Sequence, residues 1–351
     1  MVCHGHWSTV RKMFRIVVIG GSAGSIDALK GILAGLPKDF AAAVLVVIHI
    51  GSTRSVLPDL LDDDSTLPVR HASQGQPIAA GHVLVAPSDL HLLVAHDDGR
   101  PYARLVFGPE ENHCRPAIDP LFRSAASIYG ADVVAVLLSG FLDDGTVGIQ
   151  AIKAHGGIAV VQDPATAEVP EMPASALANA SVDFVLHADD IAGKLVEIVN
   201  HPGRVAATAT AVAPEGVQDQ IPLEDRMLAD KSDIEDISSI GTLVPLTCPE
   251  CHGTLWEIRG SSSPRYRCHT GHAFTANVLS GLQHRTVEEA LWAAVRALHE
   301  KEQLYRRLHE ALSRGAQDDV SVEYEAKVKQ AKEQARVLRD LIATMTSAPS
   351  N

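Results

Sequence analysis

Three apolar runs in the first half of the chain each end on a residue type used in acyl-transfer chemistry. RIVVIGG runs into Ser22, AAVLVVI into His49, and VVAVLLSGFLDDG closes with Asp143 and Asp144 ahead of Gly145. A serine hydroxyl becomes a nucleophile only beside a base; an imidazole serves as that base, and a carboxylate fixes its tautomer. If the runs are parallel strands of one sheet, their carboxyl ends share an edge, where open α/β sheets hold their sites. Gly21 and Gly24 on either side of Ser22 permit a sharp turn and close approach of a substrate. A helix starting there would turn its N-terminal N–H groups toward a developing oxyanion.

Each piece alone has a plainer use. A serine in a glycine-rich turn is a turn or N-cap residue, a histidine closing a strand is a satisfied polar end, and Asp-Asp-Gly is a loop. Together, on matching run ends, the three favour catalysis. A phosphate-binding reading is weaker. Ile19 stands where a dinucleotide fingerprint needs its first glycine, His49 where it needs an acid, and no Gly-Lys-Ser/Thr ending is present. A nucleotide-binding domain is therefore a third reading, which a nucleotide titration would test.

A second constellation lies far downstream. Cys248-Pro-Glu-Cys251, sixteen residues, then Cys268-His-Thr-Gly-His272 has the spacing of a zinc ribbon. Three thiolates and one imidazole fill a tetrahedral shell, so a structural zinc is expected, with His272 ahead of His269 as fourth ligand. The alternative is free thiols in a loop. Cys114 reads as a loop cysteine, Arg54 and Arg115 as surface arginines, and Cys3, His4 and His6 as part of a leader. His71, His82, His91 and His96 have no metal spacing.

The elements that must position these groups follow from the pattern of the chain. Apolar runs alternate with helical stretches such as SIDALKGILAGL and PAIDPLFRSAASIYG, which predicts an α/β domain, doubly wound on a mostly parallel sheet, over 15–200. HVLVAPSDLHLLVA reads as a local hairpin turning at Pro87, Ser88 and Asp89. A leader occupies 1–14. Residues 201–242 read as a solvated acidic linker, with eight acids against two bases between Glu215 and Asp236. The ribbon spans 243–281, and an α-helical hairpin 282–346. Its heptad rows are Leu291, Leu298, Tyr305 and Leu312 with Val287, Ala294 and Leu308, then Val328, Ala335 and Ile342 with Ala331, Leu338 and Met345.

Composition excludes several classes. The net charge of −13 disfavours nucleic acid and anionic membrane surfaces, because phosphate neutralisation needs clustered Lys and Arg. No run approaches the roughly 20 apolar residues that cross a bilayer. MVCHGHWSTVRKMF lacks the apolar stretch of a secretory signal, so a cytoplasmic protein without membrane insertion is expected. The five cysteines are then thiols or metal ligands before they are disulfides.

The stretches IGGSAGSIDAL, VVIHIGSTRSVLPDLL, VAPSDLHL, CRPAIDPLFRSAA, LLSGFLDDGTVGI and VQDPATAEVPEMPASAL, in this order, resemble the catalytic domain of CheB-type chemotaxis protein-glutamate methylesterases, over 15–190. The resemblance implies a serine hydrolase with Ser22, His49 and Asp144 as triad, Asp144 because it precedes Gly145. It implies backbone N–H groups near Ala23 and Phe141 at the oxyanion. Its substrate class is the glutamyl methyl ester in the cytoplasmic helical region of a chemoreceptor, with glutamine deamidation as a secondary activity and no cofactor for catalysis. Ser22-Ala23-Gly24-Ser25 departs from the family's Ser-x-Gly-Gly turn, and Phe141 replaces a frequent methionine. Only about fourteen residues precede the first strand, so regulation by a fused receiver domain is not expected. The alternative is a non-catalytic scaffold of the same fold, acting through its ribbon and helices. Residues 287–345 would then self-associate or meet a partner helix. The ribbon and helices are expected to be separable from the chemistry.

Overall fold

The computed structural model describes residues 14–49, 51, 55–201, 223–224, 226–228, 234–260, 263–314 and 318–346. The leader cysteine and histidines, Arg54 and most of the acidic linker lie outside the described residues. The chain divides into two compact units, Met1–Leu279 and Ser280–Asn351. Among the described residues no helix is long and apolar enough to cross a membrane.

The first unit is built on strands β1 (Arg15–Gly21), β2 (Ala42–Ile48), β3 (Val69–His71), β4 (Gln76–Pro77), β5 (Val83–Val85), β6 (His91–Asp97), β7 (Arg100–Val106), β8 (Val133–Leu137), β9 (Ile158–Gln162) and β10 (Phe184–Leu186). Seven of them form one parallel sheet in the order β10-β9-β8-β1-β2-β5-β3. Its helices are α1 (Ile26–Gly35), α2 (Leu57–Asp62), α3 (Ile118–Tyr129), α4 (Thr146–Ala154), α5 (Glu171–Asn179) and α6 (Ala188–Asn200). The continuous apolar composition of β1, β2, β8 and β9 reflects burial on both faces. Ile16, Val18, Leu45 and Val47 pack with Phe122 of α3, Ile149 of α4 and Met172 of α5. Alternate residues Val17, Ile19, Val44 and Val46 pack with Leu29 and Leu33 of α1 and Leu195 of α6.

The chain winds outward from β1 in one direction through β2, then returns to build β8, β9 and β10 on the other side. The carboxyl ends of β8, β1 and β2 meet at this reversal, the crevice where such sheets bind ligands.

The expected hairpin at residues 82–95 does not form. β5 joins the parallel sheet between β2 and β3, whereas β6 pairs with β7 in a separate antiparallel sheet, β4-β7-β6. Asp98 and Gly99, at φ +44° and +73°, make the two-residue turn that joins β6 to β7. The stretch after β5 is a passage between two sheets.

The ribbon belongs to the same compact unit. Strands β11 (Gly241–Thr247), β12 (Thr254–Ile258), β13 (Arg265–Cys268) and β14 (Ala273–Thr275) form an antiparallel sheet in sequence order. Part of the segment expected to be a solvated linker is folded: α7 (Ile234–Ile240) packs Ile237 and Ile240 against Ile258, and Leu228 and Glu224 are buried. The sheet is fixed to the α/β layers by a buried ionic cluster. Glu111 accepts from Arg123 at 2.8 and 2.9 Å and from Arg267 at 2.7 Å, and Glu224 accepts from Arg267 at 3.0 Å and Arg265 at 2.8 Å.

Helix α8 (Ala276–Arg314) begins at the end of the first unit, and α9 (Asp318–Thr346) follows in the second. Within the second unit Tyr305 meets Tyr324, and Lys332 meets Glu302, an antiparallel pairing. Val295 and Glu302 are buried on α8 while Val287 and Ala294 are exposed. The companion row of α8 therefore lies one residue later than the apolar pattern predicts, because a paired carboxylate occupies the seam.

Burial alone would raise the pKa of Glu224, but Arg265, Arg123 and Arg267 hold it at about 2. A carboxyl lowered in the folded state stabilises above its unfolded pKa of about 4.3. That contribution is lost as pH falls toward 2. Glu224→Gln should cost about 3–5 kcal/mol at neutral pH, by leaving buried guanidinium charge uncompensated. It should also flatten the acid limb of stability below pH 4.3. Urea denaturation of both proteins across this range checks it; equal acid limbs would contradict it.

Candidate active site

Ser22 is the first residue after β1, half-buried, with its N–H bonded to Ser139 O at 2.9 Å. This draws the end of β1 against the loop after β8. A Cβ on Gly140 would lie 2.7 Å from Ser22 Cβ and 2.1 Å from Met172 Sδ, so only glycine fits beside the serine. His49 follows β2 directly and donates its N–H to Gly21 O at 3.2 Å. Ser22 and His49 thus leave adjacent strands side by side.

The His49 ring donates Nε2–H to Asp144 Oδ2 at 2.9 Å. Asp144 is buried and accepts four further hydrogen bonds, from Ile118 N at 2.7 Å, Gly145 N at 3.0 Å, Asn112 Nδ2 at 3.1 Å and Asp119 N at 3.2 Å. Ile118 and Asp119 open α3, whose N-cap, Ala117, has no capping side chain. Asp144 therefore closes that helix terminus from outside, and the partial positive charge there favours its ionised form. Asp119 does the same for α4, accepting from Gly145 N at 3.0 Å and Gly148 N at 2.6 Å.

The two carboxyl groups are shifted in opposite directions. Burial alone would raise both. For Asp144 the His49 hydrogen bond, the N–H of Ile118 and the amide of Asn112 outweigh it and lower the pKa. Asp119 is pushed well above the ordinary value by burial and by the Asp144 charge. Burial alone would lower the pKa of His49, but its bonds to Asp144 and Cys114 hold it up at about 10. With Nε2 committed to an ionised acceptor, Nδ1 is the nitrogen left to act as base.

The structure brings Ser22, His49 and Asp144 to one edge, with a difference. Among the described residues the Ser22 hydroxyl makes no hydrogen bond to the ring, and Nδ1 instead faces Cys114 Sγ at 3.6 Å. Cys114 is thus at the candidate base, not in a remote loop. The N–H groups of Ala23 and Phe141 carry no acceptor among the described residues, while Leu142 N–H is held by Glu171 at 2.9 Å. The Phe141 side chain is 56% exposed. Asp143 is turned away, accepting from Thr275 Oγ1 at 2.7 Å and Asn277 Nδ2 at 3.2 Å. Arg115 is committed to Asp89 at 2.7 Å and stacks over Phe107. Asn112 and Asp119 have no signal of their own in the sequence, because their partners, carboxylates and backbone N–H groups, are brought together only by folding.

The ligand atoms of Cys248, Cys251, Cys268 and His272 lie within 4.8 Å of one another, and His269 is outside this group. Cys251 Sγ is 3.6 Å from Cys268 Sγ, and Cys268 Sγ is 3.5 Å from His272 Nδ1. A tetrahedral zinc with bonds of about 2.3 Å to sulfur sets such edges at about 3.8 Å, so the donor set fits that ion.

Residues 17–195 match the CheB methylesterase family model. A putative protein-glutamate methylesterase/protein-glutamine glutaminase of Leptospira interrogans is 38% identical over 186 residues, covering 53% of this chain and 95% of that protein. The protein-glutamate methylesterase/protein-glutamine glutaminase 2 of Anaeromyxobacter dehalogenans is 42% identical over 184 residues, and this chain spans 53% of its length. The crystal structure of the Thermotoga maritima CheB methylesterase catalytic domain superposes with a TM-score of 0.52 at 36% identity, covering 53% of this chain and 99% of that domain. With the parallel sheet and its carboxyl-edge residues inside the matched region, the chain belongs to the CheB methylesterase family.

Proposed function

We propose that this chain is a serine hydrolase removing methyl esters from glutamyl side chains in the cytoplasmic helical region of chemoreceptors. The observation that carries the reading is the ionised Asp144 holding His49 Nε2 beside Ser22. His49 Nδ1 takes the Ser22 proton as Oγ attacks the ester carbonyl, and Asp144 stabilises the imidazolium. The N–H groups of Ala23 and Phe141 receive the oxyanion. Methanol departs with the proton returned from Nδ1. Water, deprotonated by the same nitrogen, then cleaves the acyl-enzyme to a glutamate carboxylate. Glutamine deamidation uses the same groups with ammonia leaving. In the ribbon, Cys248, Cys251, Cys268 and His272 would hold a structural zinc, whose role is to cross-link the two knuckles.

Ser22→Ala should lower kcat for methanol release from methylated receptor by on the order of 10³-fold or more, and His49→Ala similarly, with little added by combining them. Asp144→Asn turns an amide donor toward Nε2 and forces the ring proton onto Nδ1, a change worth on the order of 10⁴-fold. Steady-state demethylation by the four variants is the measurement. Near-full activity of Ser22→Ala would remove the serine from the mechanism and favour a scaffold of this fold.

Because His49 acts only when unprotonated and its pKa is raised, kcat/KM should climb with pH to a midpoint above the ordinary imidazole value of about 6.5. A pH profile with its acid limb centred at or below that value would contradict the assignment of the ring.

Purified protein should carry about one zinc per chain. Elemental analysis under conditions that retain bound metal is the check, and a zinc-free protein would refute the site.

A further inference from the structure

We propose that the Cys248, Cys251, Cys268 and His272 cluster is a metal-dependent latch on the esterase. Zinc in the ribbon fixes the loop over residues 110–115, and that loop sets the catalytic carboxylate through Asn112. The inference rests on the triad and zinc readings given above.

The connection can be followed bond by bond. β14 begins at the residue after His272. Ala273 N donates to Glu110 O at 3.3 Å, and Asn112 N donates to Ala273 O at 2.8 Å. Thr275 N then donates to Asn112 Oδ1 at 3.1 Å. That bond decides which end of the Asn112 amide faces inward. Its Nδ2 must point to Asp144 Oδ1 and Asp119 Oδ2, each at 3.1 Å. Asn112 is 6% exposed, so water does not replace these partners.

Two more contacts tie the same loop to the ribbon and to the site. Glu250 stands between the two cysteines of the first knuckle and is 2.5 Å from His113 Nδ1. Cys114, the next residue, faces His49 Nδ1 at 3.6 Å. Asp143 adds a direct link from the residue before the catalytic carboxylate to Thr275 and Asn277. Asn112 and His113 both have positive φ, +53° and +59°, a region asparagine and histidine enter more readily than most residues, and the Cys114 N–H to Glu111 O bond at 3.0 Å closes the turn they form. β14 and the first knuckle brace that turn from outside, through Ala273, Thr275 and Glu250. A four-stranded sheet this small depends on its metal for its shape. Loss of the ion therefore releases the loop, lets the amide of Asn112 turn, and frees the Asp144 carboxylate to rotate off Nε2. This is opposite to the expectation that the ribbon is separable from the chemistry. It makes Asn112 a positioning residue and the metal cluster a sensor of zinc supply or thiol oxidation.

The test uses the full chain, loaded with zinc and stripped by a chelator. It reads metal content, kcat and KM for a methyl ester, and the His49 ring pKa by NMR. Stripping should lower kcat on the order of 10²-fold with KM changed less than about twofold, and re-added zinc should restore it. The His49 pKa should fall toward about 6.5 as its carboxylate partner is lost. Asn112→Ala in zinc-loaded protein should reproduce both changes, and stripping that variant should add little. The NMR titration needs no turnover, so it judges the latch even if the esterase reading fails. Zinc leaving with kcat and the His49 pKa unchanged would overturn the latch while sparing the metal site. Finding no zinc to remove would overturn both.

Discussion

Two buried carboxyl groups close each other's helices, and the site depends on that exchange. Asp144, in the loop before α4, accepts the first N–H groups of α3, while Asp119, inside α3, accepts the first N–H groups of α4. Neither helix carries its own capping side chain. The arrangement satisfies donors that would otherwise be orphaned in a dry interior, and removing either partner leaves the other helix open. It also holds the Asp144 carboxylate, which the Asn112 amide braces at 3.1 Å. α3 and α4 both pack on the face of the sheet that holds Phe122 and Ile149, so the core places the caps and the caps place the acid.

Putting two carboxyl groups this close has an electrostatic cost, and it shifts their pKa values in opposite directions. Both accept from a helix terminus and from the Asn112 amide, but Asp144 alone has the imidazole, and its pKa is lowered while burial and the Asp144 charge raise that of Asp119. A second buried concentration of charge lies beside it, where Glu111 and Glu224 neutralise Arg123, Arg265 and Arg267. The two networks share residues of α3 and of the loop that precedes it. The ribbon is joined to the α/β domain by polar groups, and the buried ones among them, Glu111, Asn112, Glu224, Arg267 and Thr275, need their partners because they lack water.

Much of the fold was legible because parallel strands covered on both faces must be continuously apolar, and β1, β2, β8 and β9 read that way. The residues that follow them were legible for the same reason, since a polar group ending such a run stands at the sheet edge. Asn112 and Asp119 were not, because their roles consist of bonds to each other, to Asp144 and to backbone N–H groups of α4 and β14, more than a hundred and fifty residues apart at the extreme. Cys114 carries no pattern beyond one thiol in a loop; only folding sets it beside His49. The misread stretch after β5 has turn residues but no partner in register, whereas Asp98-Gly99 has both. In α8 the seam holds Glu302, paired with Arg306 and Lys332, so an apolar pattern alone skips it. Glu224 likewise looked like one more acid in a solvated run, and charge pairing across the fold gave it a buried place.

The ring of His49 is wired the opposite way round from the trypsin-like arrangement, in which Nδ1 meets the aspartate and Nε2 the serine. Here the far nitrogen is anchored and the near one is left to work. Nδ1 lies one bond closer to the main chain, and with Nε2 held by Asp144 the second side-chain torsion that would swing it is fixed. The base has a short lever arm. It cannot swing out to meet a displaced hydroxyl, and a small slip of β2 against β1 would carry it out of range. In the proposed mechanism, precision therefore rests on the register of β2 against β1 together with the Asp144 bond.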